Sequence, residues 1–129
     1  IDHFKGLNDH YGHPFGDQVL RRVCELLKAS VYETDFVARY GGEEFVVLLP
    51  RAEPEGALRK ADAIRRALES ERFMLALETI SVTISIGVAH FPRDAAAPEE
   101  LVAQADAALY QAKSKGRNRV VDSLALRRA

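Results

Sequence analysis

The chain has 129 residues, 47% of them hydrophobic and 29% charged, a balance that fits one domain with its own core and excludes a disordered tail. Lys and Arg number 18 against 19 Asp and Glu, so a net charge of −1 supplies no general field for nucleic acid or an anionic membrane, and any phosphate binding must come from local groups. Cys24 stands alone and excludes an internal disulfide, no apolar run approaches the ~18 residues of a membrane span, and the N-terminus lacks a signal-peptide pattern, which predicts a reducing, cytoplasmic setting.

The opening Ile1-Asp2-His3-Phe4 carries no initiator Met and reads as the middle of an element, so the chain is expected to be a fragment of something longer. Phe4 to His13 predicts a short helix with Phe4, Leu7 and Tyr11 on one face, ended by Gly12 and Pro14. From Asp17 to Ser30, Val19, Leu20, Val23, Leu26 and Leu27 recur at helical spacing, with Gly16-Asp17 marking the start and Cys24 as a small buried side chain. Phe36–Tyr40 and Phe45–Leu49 favour strand, and Gly41-Gly42 between them suggests the positive φ angles of a tight hairpin.

A helix from Pro54 to Glu69 turns Ala57, Leu58, Ala61, Ile64 and Leu68 inward, and Phe73 to Ile80 favours a strand or hairpin arm. Val82 to Val88 alternates with period two and gives the strongest strand signal. Pro98-Glu99-Glu100 opens a long helix that Lys113, Lys115 and Gly116 close, Val120-Val121 suits a final strand, and Leu124 to Ala129 reads as a loose tail. The order predicts an α+β domain over residues 1–122, ferredoxin-like, with a mostly antiparallel central sheet covered by helices, its first strand truncated, and 123–129 as a tail.

Chemistry concentrates in three places. Glu43 and Glu44 follow a double glycine at a hairpin tip, where they suit Mg²⁺, a hard cation that takes few carboxylates and completes its shell with water and phosphate oxygens. Gly41 and Gly42 let a phosphate chain approach the backbone, although a Gly-Gly turn with solvated acids would look the same. Lys5, Asn8 and Asp17 gather around two helix ends. Lys is a point charge for phosphate, and Asn and Asp can read a purine edge, with guanine's N1–H and N2–H₂ donors suiting Asp. Each also has a structural reading, Asp17 as a helix cap and Asn8 as a turn former. Lys113 through Arg119 is a basic cluster at a helix C-terminus, which either answers the helix dipole or meets a polyphosphate.

Together, Ile1-Asp2-His3-Phe4-Lys5, Asn8-Asp9-His10-Tyr11-Gly12-His13, Gly16-Asp17, Ala38 to Phe45, Val82 to Val88 and Ala105 to Lys113 with Gly116-Arg117-Asn118 resemble the successive signatures of the GGDEF family of diguanylate cyclases. The resemblance runs from Ile1 to about Val121 and implies a fold similar to the nucleotide-cyclase palm. It implies an enzyme that condenses two GTP into cyclic di-GMP with release of pyrophosphate, with Mg²⁺ as cofactor, working as a homodimer of such domains behind an N-terminal sensory or receiver domain. It further implies that Glu43 ligates Mg²⁺ and takes part in deprotonating the 3′-hydroxyl, that Glu44 adds to the metal and phosphate environment, and that the Ile1 carbonyl is a metal ligand. Asn8 and Asp17 would contact guanine, Lys5, Lys113 and Arg117 the phosphates, and backbone N–H groups around Phe4 the β- and γ-phosphates.

Two departures accompany the resemblance. The family's metal-binding Asp falls immediately before Ile1, ahead of this sequence. The family's product-inhibition motif, Arg-x-x-Asp, reads here Tyr32-Glu33-Thr34-Asp35, and Tyr32 has no guanidinium fork for feedback binding. A non-catalytic GTP-binding regulatory module is the alternative reading.

Overall fold

Gly12, at φ 92°, separates helix α1 (Phe4–Tyr11) from helix α2 (His13–Ser30), a backbone angle that favours a residue without a side chain. Its N–H closes α1 on the Asn8 carbonyl at 2.8 Å, and it is also the N-cap of α2. Pro14 therefore does not break a helix but sits in the first turn of α2, where its missing N–H costs nothing. This corrects the expected start at Gly16-Asp17, and Asp17 lies inside the helix rather than capping it. The computed structural model describes residues 1–128.

Strands β1 (Phe36–Arg39) and β2 (Phe45–Leu48) form an antiparallel ribbon with Arg39 opposite Phe45 and residues 40–44 as the loop. Neither Gly41 nor Gly42 takes the expected positive φ. The longer loop spreads the reversal over more residues, and the Glu44 carbonyl closes it by accepting from the N–H groups of Tyr40 at 2.7 Å and Gly41 at 3.2 Å. Helix α3 (Pro54–Ser70) follows, and then the ambiguous stretch folds as a hairpin of β3 (Phe73–Leu75) and β4 (Glu78–Ile80), turning through Ala76 at φ 54°.

β5 covers only Ile86–Val88 and pairs in parallel with β6 (Val120–Asp122), so the alternating stretch forms a ladder only in its last three residues. Val82 and Ile84 are nonetheless buried, and the Thr83 carbonyl accepts the Asp2 N–H at 3.0 Å. Alternation here records which side chains face the core; it does not report main-chain pairing. The α+β architecture is as expected, with the strands distributed among three two-stranded ladders, two antiparallel and one parallel.

The main core joins Phe15, Val19, Val23 and Leu27 of α2 to Ile64 and Leu68 of α3, and to Phe73, Ile80, Val82 and Ile84. Each such side chain contributes about 1.5–3 kcal/mol on leaving water. Val37, Phe45, Val47 and Ile86 pack against this cluster, which sets α2 and α3 on one side of the strands. Helix α4 (Pro98–Ser114) lies on the other side of β5, where Gly87 faces it, and Ala108 and Ala112 form a second cluster with Val121 and Leu126. The tail expected to be loose is a 3-10 helix over Ser123–Arg128, held by Leu126 in that cluster and by Arg127 on Asp94; Ala129, the rest of that expectation, lies outside the described residues.

Candidate active site

Asp2 ties together parts of the chain that are far apart in sequence. Its carboxylate, 4% exposed, accepts hydrogen bonds from Thr83 Oγ1 at 2.8 Å, Ser85 Oγ at 2.6 Å and the Asn118 N–H at 3.0 Å. A buried carboxylate is costly unless its oxygens are satisfied, and three donors meet that requirement. The backbone on the other side of Ile1 is held as well, since the Ile1 nitrogen donates to the Glu43 carbonyl at 3.2 Å. The path Glu43, Ile1, Asp2, Asn118 thus joins the acidic loop to the basic turn.

Asp2, Lys113, Glu43 and Glu44 all stand close enough to the Ile1 nitrogen for their charges to act on it. Both glutamates are half-buried, and among the described residues no ion pair reaches either carboxylate. Glu44 folds back over Gly41, with its Cβ 3.7 Å from where a Gly41 Cβ would stand. Arg39 braces the loop by donating from Nε to the Gly41 carbonyl at 3.2 Å and from Nη2 to the Gly42 carbonyl at 2.6 Å, leaving the acids free.

The Ile1 carbonyl belongs to the peptide unit whose N–H is held on Thr83. In a trans peptide the two groups point in opposite directions, so this oxygen is directed away from Thr83. One carbonyl and two unpaired carboxylates are hard oxygen donors that suit Mg²⁺, which takes one or two carboxylates with substrate phosphates and water. Among the described residues no group of three or more His, Cys, Asp or Glu forms a site by itself.

The basic end is a built turn. Gly116, Arg117 and Asn118 have φ of 116°, 66° and 47°, and the last two bear side chains that resist this region. They are held by the Arg117 N–H on the Ala112 carbonyl at 2.9 Å, by the Asn118 N–H on Asp2, and by Arg65 Nη1 on Asn118 Oδ1 at 3.0 Å, with the Asn118 amide also donating to Glu69. Lys113 occupies the last turn of α4, where a cation also answers the helix dipole.

At the junction of α1 and α2, a Cβ on Gly16 would come within 1.8 Å of Asn8 Oδ1, so the glycine makes room for that amide. Among the described residues Asn8 Oδ1 is buried and has no hydrogen-bond donor. An acceptor left in that state costs about 1–3 kcal/mol, which points to a donor supplied from outside the chain. Asp17, the next residue, is exposed. Phe4 opens α1 and Lys5 follows, exposed, while His3 provides no side-chain cap, so the first N–H groups of α1 remain without intrahelical partners. Among the described residues no hydrogen bond or ion pair joins Lys5 or Asp17 to the acidic loop; Lys5 stands on α1, which begins two residues after Asp2, and Asp17 on α2.

Tyr32 is 75% exposed and carries Lys60 Nζ 4.3 Å from its ring centroid, while that ammonium donates to the Ser30 carbonyl at 2.7 Å. Sequence reasoning missed Asp2 and the side chain of Asn118. The available signal was Thr83 and Ser85, two hydroxyls at alternate positions on the face of the strand opposite Val82 and Ile84, which called for an acceptor.

Residues 1–119 match the family described as diguanylate cyclase, GGDEF domain. Diguanylate cyclase A of Treponema denticola is 44% identical over 120 residues, covering 93% of this chain and 32% of that protein. Response regulator PleD of Caulobacter vibrioides is 45% identical over 127 residues, covering 97% of this chain and 28% of that one. Among solved structures, the GGDEF domain of DgcB from Caulobacter crescentus in complex with c-di-GMP superposes with a TM-score of 0.89 at 38% identity, covering 95% of this chain and 73% of that one. The chain spans about a third of the length of these curated relatives. By the extent of the match and the level of identity, it belongs to the GGDEF domain family of diguanylate cyclases.

Proposed function

We propose that the protein to which residues 1–129 belong condenses two GTP molecules into cyclic di-GMP and releases pyrophosphate. The observation that supports this most is the junction at Ile1-Asp2, which brings the unpaired acids of the loop beside the turn carrying Arg117. In this reading, Lys113, Arg117 and Lys5 receive the phosphates, with the uncapped N–H groups at Phe4 on the β- and γ-phosphates. Gly41 and Gly42, the latter with open space where a Cβ would be, allow the phosphate chain to approach the loop backbone. Asn8 Oδ1 and Asp17 accept from the guanine edge, which would satisfy the orphaned amide oxygen.

Glu43, Glu44 and the Ile1 carbonyl would hold Mg²⁺, together with an Asp ahead of Ile1 in the parent chain. Bound there, the ion would polarise the phosphates and lower the pKa of the attacking hydroxyl. Glu43 takes part in accepting the proton from the 3′-hydroxyl, and the basic residues stabilise charge on the departing pyrophosphate. One domain offers one guanine site, so the 3′-hydroxyl of one nucleotide meets the α-phosphate of another only when two domains face each other. Orientation in that homodimer supplies much of the rate. A sensory or receiver domain ahead of residue 1, and a cytoplasmic location, complete the proposal. No described helix is long and apolar enough to cross a membrane.

Incubating the parent protein with GTP and Mg²⁺ and separating products by chromatography tests the reading. Cyclic di-GMP is the expected product, and Glu43→Gln should reduce its formation by about 100-fold or more. GTP binding without product would favour the regulatory module, and unchanged turnover in the Gln variant would remove Glu43 from the metal site.

A further inference from the structure

We infer that Asp2 is a positioning residue, one that sets the placement of the Arg117 cation relative to the Ile1 carbonyl through its hydrogen bonds to Asn118 and Thr83. This rests on the reading that Arg117 meets phosphate and the Ile1 carbonyl meets metal. The carboxylate is too deeply buried to touch a nucleotide itself. Its Oδ2 receives both the Thr83 hydroxyl at 2.8 Å and the Asn118 N–H at 3.0 Å, and Oδ1 receives the Ser85 hydroxyl at 2.6 Å. The Asp2 N–H, bound to Thr83 at 3.0 Å, fixes the plane of the peptide that contains the Ile1 carbonyl.

Arg117 and Asn118 occupy a region of backbone space that side-chain-bearing residues leave unless held there. The bond from Asn118 to Asp2 is one of the restraints, and Arg117 precedes it directly in the chain. An acceptor with two oxygens is essential to the arrangement. In Asp2→Asn the amide nitrogen would face donors on one side or the other, either the Ser85 hydroxyl or the pair from Thr83 and Asn118. The residue would keep its size and lose half of its accepting capacity.

A double-mutant cycle in the parent protein tests the inference, read as kcat/KM for cyclic di-GMP formation and as Kd for GTP with Mg²⁺. Asp2→Asn alone is expected to lower kcat/KM about 10- to 100-fold, the range found when the support behind a ligating group is removed. In an Arg117→Ala background the same change should cost less than about threefold, because the group it positions is gone. In an Asp17→Ala background it should keep its full effect, since the guanine end does not hang from Asn118. A purely structural role would lower all backgrounds equally. Equal losses beside Arg117→Ala and beside Asp17→Ala therefore overturn the inference. If Asp2→Asn does not fold, Thr83→Val removes one of the two donors on Oδ2 and carries the same cycle with the same criterion. A wild-type protein that makes no product and binds no GTP removes the functional reading, and this inference with it.

Discussion

Gly87 offers a sharp test of how α4 is seated. A Cβ built there would stand 2.2 Å from the Ala105 carbonyl oxygen, 2.4 Å from the Leu109 nitrogen and 3.0 Å from the Ala108 carbonyl carbon. All three are main-chain atoms of one helix, so no side chain can rotate aside, and the helix must withdraw from β5 by more than about 1 Å to restore ordinary contact. Overpacking of this kind costs about 1–3 kcal/mol, and rigid backbone on the far side places Gly87→Ala near the top of that range. Its φ is not positive, so alanine adopts the local backbone freely and recovers about 0.4–1 kcal/mol through the unfolded state. The net loss is about 2 kcal/mol, equivalent to roughly 8 °C in Tm for a domain of this size. Thermal unfolding followed by circular dichroism measures it. Because Lys113 rides on the last turn of α4, the KM for GTP should rise in the same variant. A Gly87→Ala protein that melts within about 1 °C of wild type would refute the close contact of helix and strand.

Other substitutions separate fold from site. Gly16→Ala meets the Asn8 side chain rather than backbone, and alanine gains up to about 1 kcal/mol of helix propensity, so Tm should change little while GTP affinity falls about tenfold or more; a thermal melt reads the first and calorimetric titration the second, and unchanged affinity would dissociate Asn8 from the base. Asp94→Asn should destabilise by about 3 kcal/mol in urea unfolding, since it leaves Arg93 and Arg127 without the buried carboxylate they share. Burial alone would raise the Asp94 pKa, but the bonds from Arg93 and the His90 N–H outweigh it and hold the group well below the usual carboxylate range. A depressed folded value means that its stabilisation is fully present above the unfolded value of about 3.9 and is lost as pH falls through the folded one. Unfolding free energies measured between pH 5 and about pH 2 should therefore fall more steeply in wild type than in Asp94→Asn; parallel curves would show that Asp94 does not carry the acid sensitivity.

Periodicity made the core legible. Val19, Val23, Leu27, Ile64, Leu68, Val82 and Ile84 all stand out from spacing alone, and all are buried. It failed where spacing is silent. Whether Pro14 ends one helix or begins the next depends on the φ of Gly12, and both outcomes present the same letters. The run from Val82 to Val88 looks like one strand because apolar residues alternate along it, yet pairing requires a neighbour at ladder distance, which only Ile86–Val88 finds. The tail's helix is not legible in its letters, because Ser123, Leu126 and Arg127 bury or pair with residues that come close only after α4 and β6 have packed. The acids, the basic turn and the Asn8–Asp17 pair were legible as motifs. Their supports were less so, because Asp2 acts through donors more than eighty positions away in the chain.

Ion pairs take some of the acids into the fold. Asp62 is met by Arg65 and Arg66, Glu71 by Arg22, and Asp94 by Arg93 and Arg127. Among the described residues Glu43 and Glu44 have no such partner, although Arg39 sits in the same hairpin. Its guanidinium instead binds the Gly41 and Gly42 carbonyls. Two adjacent like charges in a half-buried loop repel each other, and an arginine there would relieve the repulsion at once. It would also compete with any cation for the same oxygens. A loop selected for stability alone would spend its arginine on the carboxylates. On the proposed metal-binding reading the carboxylates stay open, and the backbone bracing by Arg39 lets the loop hold its shape while their charge stays unneutralised.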